Sequence, residues 1–387
     1  MYNLLSDVSI VEVSSFVASP TAGLYCAQMG AEVVRVDQIG GGLDYDRYML
    51  TAEGRSLAWE NLNRAKKSVA LDLKSAEGRE LCVELARATG QLITNLPEKS
   101  FLSHAAVSEG RPDMVSVRIM GWHDGRQAMD FTVNAASGYP LMTGPEEWDP
   151  DTAPPVNQVL PAWDFITGAY CAFALMAALH HRAATGKGSE VRVPLGDVMM
   201  GTVANSGAMA EMLYRGADRP RLGNAIWGAL GRDFTSRDGE RFMVAVLTPN
   251  QWNAMVAALK IAEPVAALEA ETGVEFARSD HNRFVHREAL FAIVQKAVEL
   301  GVARVQPVSC RRAVVRLAGD RAQRVLGRVE QPVDLFDHGV PGCASLQAQR
   351  HLVEGALHVE SIHHARTVDP PDAKLLVVGR AALRGKH

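Results

Sequence analysis

The chain has 387 residues, 22% charged and 47% apolar, with Lys+Arg 40 against Asp+Glu 44 and a net charge of -4. At roughly 150 residues per domain this length predicts two or three domains, and the balance excludes a disordered tail or a fibre. The slight negative charge offers nucleic acid no whole-chain attraction, so no such partner is expected.

The five cysteines, Cys26, Cys82, Cys171, Cys310 and Cys343, are scattered without a CxxC pair, so neither a disulfide framework nor a metal site is expected and a reducing cytoplasm fits. The opening MYNLLSDVSIVEV lacks a basic leader and carries Asp7, and the longest apolar run, Ala169 to Leu179, is short for a bilayer. The expectation is a chain neither secreted nor membrane-bound.

Taken in order, Ser9 to Val13 and Glu32 to Asp37 read as buried strands around a helix from Pro20 to Met29, a βαβ unit. A strand at 68–73 follows, then Ser75 as N-cap, a helix over 77–89 and Gly90 as its stop. Further strands at 91–94 and 114–120 predict an α/β fold, a Rossmann-like open parallel sheet with helices on both faces. Phe165 to His181 should be a core helix, followed by a strand at 190–195 and one helix from Asp197 to about Tyr214. Arg219-Pro220 marks the predicted boundary between a large domain (1–218) and a small α+β domain (219–301). The small domain should open with a hairpin turning at Asp238-Gly239, followed by a helix from Pro249 and another over 284–300. From about Val302 the texture changes: arginines crowd 304–328 and histidines recur from 338 to 364.

Asp164, in LPAWDFITGAY, carries two open readings. It is either an N-cap accepting the open N–H groups of the helix, or a nucleophile sharpened by apolar neighbours that strip its hydration. IGGGLDYDR (39–47) follows a strand without G-x-G-x-x-G spacing. It is either a plain turn or a loop carrying Arg47 to a carboxylate. Arg64, Lys66, Lys67 and Lys74 are either a solvated edge or a phosphate site. His123, His180 and His181 have no partners at metal-ligand spacing, so no metal is expected. No G-x-S-x-G, P-loop or HExxH motif occurs.

At these places the sequence resembles the class III CoA-transferase family, through FVASPTAGLYCAQMGAEVVRVD, KKSVALDLKSAEG, ITNLP and LPAWDFITGAYCAFALMAALHHRAATGKG. The branch acting on 2-methylfumaryl-CoA is most similar, through IGGGLDYDR, MDFTVNAASGYPLMTGP, VLPAWDFITG and GRDF. Together these cover about residues 5 to 300. The resemblance implies an interlocked homodimer and makes Asp164 the nucleophile. It lines the CoA cleft with Val17, Ala18, Leu71, Asp72, Lys74, Asn95 and Pro97, sets Lys66 or Lys67 near the phosphates, and puts Phe131 against the thioester. Family racemases use a His-Asp tandem where this chain has Met129 before Asp130, so racemisation loses a proton-transfer group. Gln38 replaces an adenine-side Arg of formyl-CoA transferase. The tail is expected to return to the large domain, but the closing LGEHT-like motif is missing. A divergent terminus or a shifted reading frame accounts for this, and a shifted tail would pack loosely and be cut first by protease.

The implied reaction moves CoA between the two carboxyl groups of a C5 unsaturated dicarboxylic acid, with Arg47 or Arg232 gripping the free carboxylate. CoA enters as part of the substrate thioester and no tightly bound cofactor is expected. The alternatives are an intermolecular CoA-transferase, a non-catalytic acyl-CoA-binding module and, third, a Rossmann dehydrogenase.

Overall fold

The computed structural model describes residues 2–47, 49–149, 151–239 and 241–300, with the backbone of 376–378. Apart from those three residues, the expectations for the tail lie outside the described residues. Contacts divide the described residues into two compact units, one built from residues up to Pro140, Asn157–Asp218 and 376–378, the other from Leu141–Val156 and 219–300.

The large unit is a sheet crossed by helices. In chain order it contains β1 (Ser9–Val13), α1 (Ala18–Gln28), β2 (Glu32–Gln38), α2 (Leu57–Asn63), β3 (Lys67–Leu71), α3 (Ala76–Thr89), β4 (Gln91–Thr94), α4 (His104–Ser108) and β5 (Val115–Met120). It continues with α5 (Asp130–Ala136), the short α6 (Tyr139–Met142) at the point where the chain leaves this unit, α7 (Ala162–Thr185), β6 (Ser189–Pro194), α8 (Leu195–Asn205) and α9 (Ala208–Arg215). Strand order is β6-β5-β4-β1-β2-β3, all parallel.

Alternate residues of one strand feed opposite faces of this sheet. Ile10 and Val33 pack with Ala22, Cys26, Cys171 and Leu175 of α1 and α7. Val11 and Val34 pack with Cys82, Ala86 and Val107 of α3 and α4. Burial on both faces is why these strands are rich in β-branched residues, and the charges they carry, Glu12, Arg35 and Asp37, are buried with them. The helix signals work as expected: the Ser75 hydroxyl accepts the Gly78 N–H, and Gly90 and Gly186 close α3 and α7 in left-handed conformations. The single helix expected from Asp197 is two, broken where Gly207 takes φ 80°.

α7 is longer than its apolar core suggests. Its 24 residues are long and apolar enough by composition to cross a membrane, which the shorter run Ala169 to Leu179 does not indicate. One face, carrying Trp163, Thr167, Cys171, Leu175 and Ala178, is buried in the large unit.

The small unit pairs β7 (Leu230–Thr235) with antiparallel β8 (Arg241–Val246) against α10 (Pro249–Leu259), α11 (Ala262–Thr272), α12 (Asp280–Val285) and α13 (Arg287–Glu299). Leu230, Phe234, Trp252, Phe276, Leu290 and Phe291 form its core. Thr248 and Gln251 cap α10 reciprocally, with Pro249 in its first turn. The excursion Leu141–Val156 is pinned within this unit by Arg221, whose guanidinium donates to the Thr143 and Pro154 carbonyls at 3.0 Å each. A last short strand, β9 (Leu376–Val378), lies antiparallel on β3.

Candidate active site

In a doubly wound sheet the strand order reverses at one place, and the loops leaving the strands there diverge to open a crevice. Here that place lies between β1 and β4. Asn95, just past β4, ties it together: its side chain accepts the Ser15 N–H at 3.2 Å and donates to the Ser15 carbonyl at 3.0 Å. The next residue, Phe16, has φ 69°, a left-handed conformation uncommon outside glycine. Its amide is held by the Asp44 carboxylate at 2.8 Å. Val17 and Ala18 then start α1. Arg118, almost fully buried, fastens the neighbouring loop by donating to the carbonyls of Leu96, Pro97 and Leu102.

α7 comes against this turn because Gly168 allows it. A Cβ there would lie 2.6 Å from the Ala18 carbonyl oxygen and 2.7 Å from the Thr21 side chain. One helical turn earlier stands Asp164, the third residue of α7. The N-cap position belongs to Pro161, which offers no side-chain acceptor, so the capping reading of Asp164 is corrected. Asp130 does that work instead, accepting the Asp164 backbone N–H at 3.0 Å. Asp130 is buried and its other oxygen takes Gln158 Nε2 at 3.1 Å. Trp163 is locked by its indole N–H on Asn134 Oδ1 at 3.0 Å and by stacking with Tyr139.

The Asp164 side chain is therefore half-buried, free of a capping duty and beside a second carboxylate. Burial raises its pKa to about 7, the nearby Asp130 charge adds to the rise, and Arg47 opposes it. Arg47 stacks over the Phe16 ring at 5.0 Å. The structure thus brings together Asp164, Arg47, Val17, Ala18 and Asn95. Phe131 follows Asp130 on α5 with its ring about half exposed.

Asp72 and Lys74 form an exposed turn after β3. Gln38 braces it, donating to Asp72 at 3.2 Å and accepting the Leu73 N–H at 2.9 Å. The Gln38 bond, with that from the Lys74 amide, holds the Asp72 carboxyl below its usual pKa. Leu71 is buried in the sheet core and contributes packing rather than a surface. Arg232 belongs to the small unit, where its guanidinium lies over Phe291 at 5.3 Å.

Two lysine assignments are corrected. Lys66 is wholly buried, with its ammonium on Glu12 at 2.8 Å and on the Pro20 carbonyl and Asn63 Oδ1, so it cannot reach a phosphate in solvent. Burial pulls its pKa down to about 8 against the pull of Glu12. Lys67 opens β3 and pairs with Glu32, the first residue of β2, at the opposite end of the strands from the crevice. Four residues of strand, about 13 Å, separate it from Leu71. Lys74 is the remaining lysine of the set at the crevice end.

Asp130, Asp44 and Phe16 were not singled out as site residues from the sequence. The signal for Asp44 was its place in IGGGLDYDR, three residues before Arg47.

This arrangement matches a known family. CoA-transferase family III describes residues 5–320. The chain belongs to that family. It is 41% identical over 300 residues to 2-methylfumaryl-CoA isomerase of Chloroflexus aurantiacus, covering 76% of this chain and 72% of that protein. It is 31% identical over 57% of its length to succinate–glutarate CoA-transferase of Agrobacterium fabrum, of which 58% is covered. Among solved structures, a CaiB/BaiF family protein from Brucella suis matches with a TM-score of 0.63 and 22% identity, over 98% of this chain and 95% of that one, a likeness of fold. The protein is an enzyme of the CoA-transferase and isomerase kind, acting on CoA thioesters.

Proposed function

We propose that this enzyme moves CoA between the two carboxyl groups of one C5 unsaturated dicarboxylic acid, interconverting the thioester isomers of 2-methylfumarate. The observation that carries the reading is Asp164 itself: half-buried, uncommitted to its own helix, and within the field of Arg47. Its carboxylate attacks the thioester carbonyl, the C–S bond breaks, and CoA thiolate leaves a mixed anhydride. The thiolate then attacks the aspartyl carbonyl, giving an enzyme thioester and the free dicarboxylate. The second substrate carboxylate attacks that thioester and expels the thiolate again. Thiolate attack on the acyl side of the new anhydride gives the isomeric product and restores Asp164.

Because the freed acid must turn without leaving, a cation should hold it, and Arg47 over Phe16 stands where it can. Val17, Ala18, Asn95, Pro97, Asp72 and Lys74 are proposed to line the CoA path, on the strength of the β1/β4 crevice. A homodimer is proposed as the working form, supported by the exposed Tyr170 and Phe173 on α7 and by Val159 and Leu160 before it.

Incubation with mesaconyl-CoA and chromatographic resolution of the two isomers tests the reading, with labelled free mesaconate added. Isomer exchange without label uptake is expected. Label in the product would mean transfer between molecules, and no exchange at all would contradict both.

A further inference from the structure

Beneath the crevice lies a charged cluster that the reaction does not use. Arg35 is 1% exposed, yet its guanidinium meets Asp37 at 2.8 Å, Glu12 at 3.1 Å, the Ser14 carbonyl at 2.9 Å and Asn63 at 3.0 Å. Asp44, 5% exposed, reaches into it, with Oδ1 3.5 Å from Arg35 Nη2. Its other oxygen accepts the Phe16 amide at 2.8 Å. The turn Ser14–Phe16 is thus gripped at the Ser14 carbonyl, at the backbone N–H and C=O of Ser15 and at the Phe16 N–H. The last of these grips comes from the same loop that carries Arg47. Asp44 lies three positions before Arg47, and Arg47 lies on the ring whose backbone Asp44 holds.

We propose that Asp44 is a positioning residue: by binding the left-handed Phe16 amide and the buried Arg35 at once, it fixes the Phe16 ring and the 40–47 loop together, and so sets Arg47 against Asp164. This rests on the reading of Asp164 and Arg47 given above, but its test needs no substrate. Removal of the Asp44 negative charge would, by simple electrostatics, lower the titration point of Asp164. Loss of Arg47 from its seat would raise it. The sign separates the two effects.

The experiment follows the Asp164 carboxyl carbon by NMR across pH in the full chain, in Asp44→Ala, Arg47→Ala and the double variant. Arg35 keeps Glu12 and Asp37 in Asp44→Ala, which favours a folded variant. Asp44→Asn retains an acceptor for the Phe16 N–H and serves as the conservative control. Both alanine variants are expected to move the Asp164 titration upward by about half a pH unit or more, the double variant no further than Arg47→Ala, and Asp44→Asn, which loses the charge but keeps the acceptor, not upward. A downward or unchanged titration in Asp44→Ala would overturn the proposal, as would additive shifts in the double variant. Failure of mesaconyl-CoA to isomerise would leave this readout intact, so the two readings fail separately.

Discussion

The backbone amide of Asp164 is held by the carboxylate of Asp130 at 3.0 Å, across thirty-four positions of sequence. A neighbouring helix supplies the cap, so the Asp164 side chain is spared from closing its own helix. That same cap brings a second carboxylate close and helps hold the Asp164 proton up to about pH 7.

A carboxyl held this way costs stability. The folded carboxyl titrates near 7 and the unfolded one near the ordinary 3.8, so the folded state binds the proton more tightly. Stability therefore falls as pH rises from about 4 to about 7, and stays reduced above. Asp164→Asn is expected to lower turnover by several orders of magnitude while raising stability at pH 8 by about 1–4 kcal/mol. Denaturant unfolding at pH 8 and pH 4 checks this: the gain should shrink at the lower pH.

The proposed attack requires the ionised Asp164. As pH drops below about 7 the reactive fraction shrinks, and kcat/KM should decline toward tenfold per pH unit on the acid side. A rate profile flat down to pH 5 would place the limiting group elsewhere.

Gly168→Ala puts a methyl 2.6 Å from the Ala18 carbonyl oxygen. Backbone cannot yield as a flexible side chain can, so α7 must move off α1. A loss of about 1–3 kcal/mol is expected, with kcat falling more than KM rises, because Asp164 rides on the displaced turn. Thermal melts and steady-state kinetics measure the two effects.

Lys66→Met leaves Glu12 buried with Arg35 as its remaining cationic partner, and should destabilise by about 3 kcal/mol or more. Lys74→Ala, at an exposed turn, should leave stability within about 0.5 kcal/mol and raise KM for the CoA ester. The reverse pattern would restore Lys66 as a phosphate contact.

The sheet was legible because burial on both faces leaves β1, β2 and β5 rich in β-branched residues, and because Ser75, Gly90 and Gly186 act through local backbone geometry. Asp164 stood out because a lone acid among apolar residues at a helix start is unusual. Its partner did not: Asp130 lies far away in sequence, and nothing local marks it as a cap. Lys66 misled for the same reason, since a lysine beside Arg64 and Lys67 reads as a solvated cluster until Glu12, fifty-four positions away, is seen beneath it. The break at Gly207 was missed because α8 and α9 continue one apolar texture across it.

Covalent transfer through Asp164 is tested most directly by trapping the enzyme thioester. The protein is incubated with mesaconyl-CoA during turnover, treated with hydroxylamine, digested and analysed by mass spectrometry. A hydroxamate on the peptide bearing Asp164, absent without substrate and absent in Asp164→Asn, is the expected result. An unmodified peptide while the two thioester isomers continue to exchange would contradict covalent catalysis by this residue.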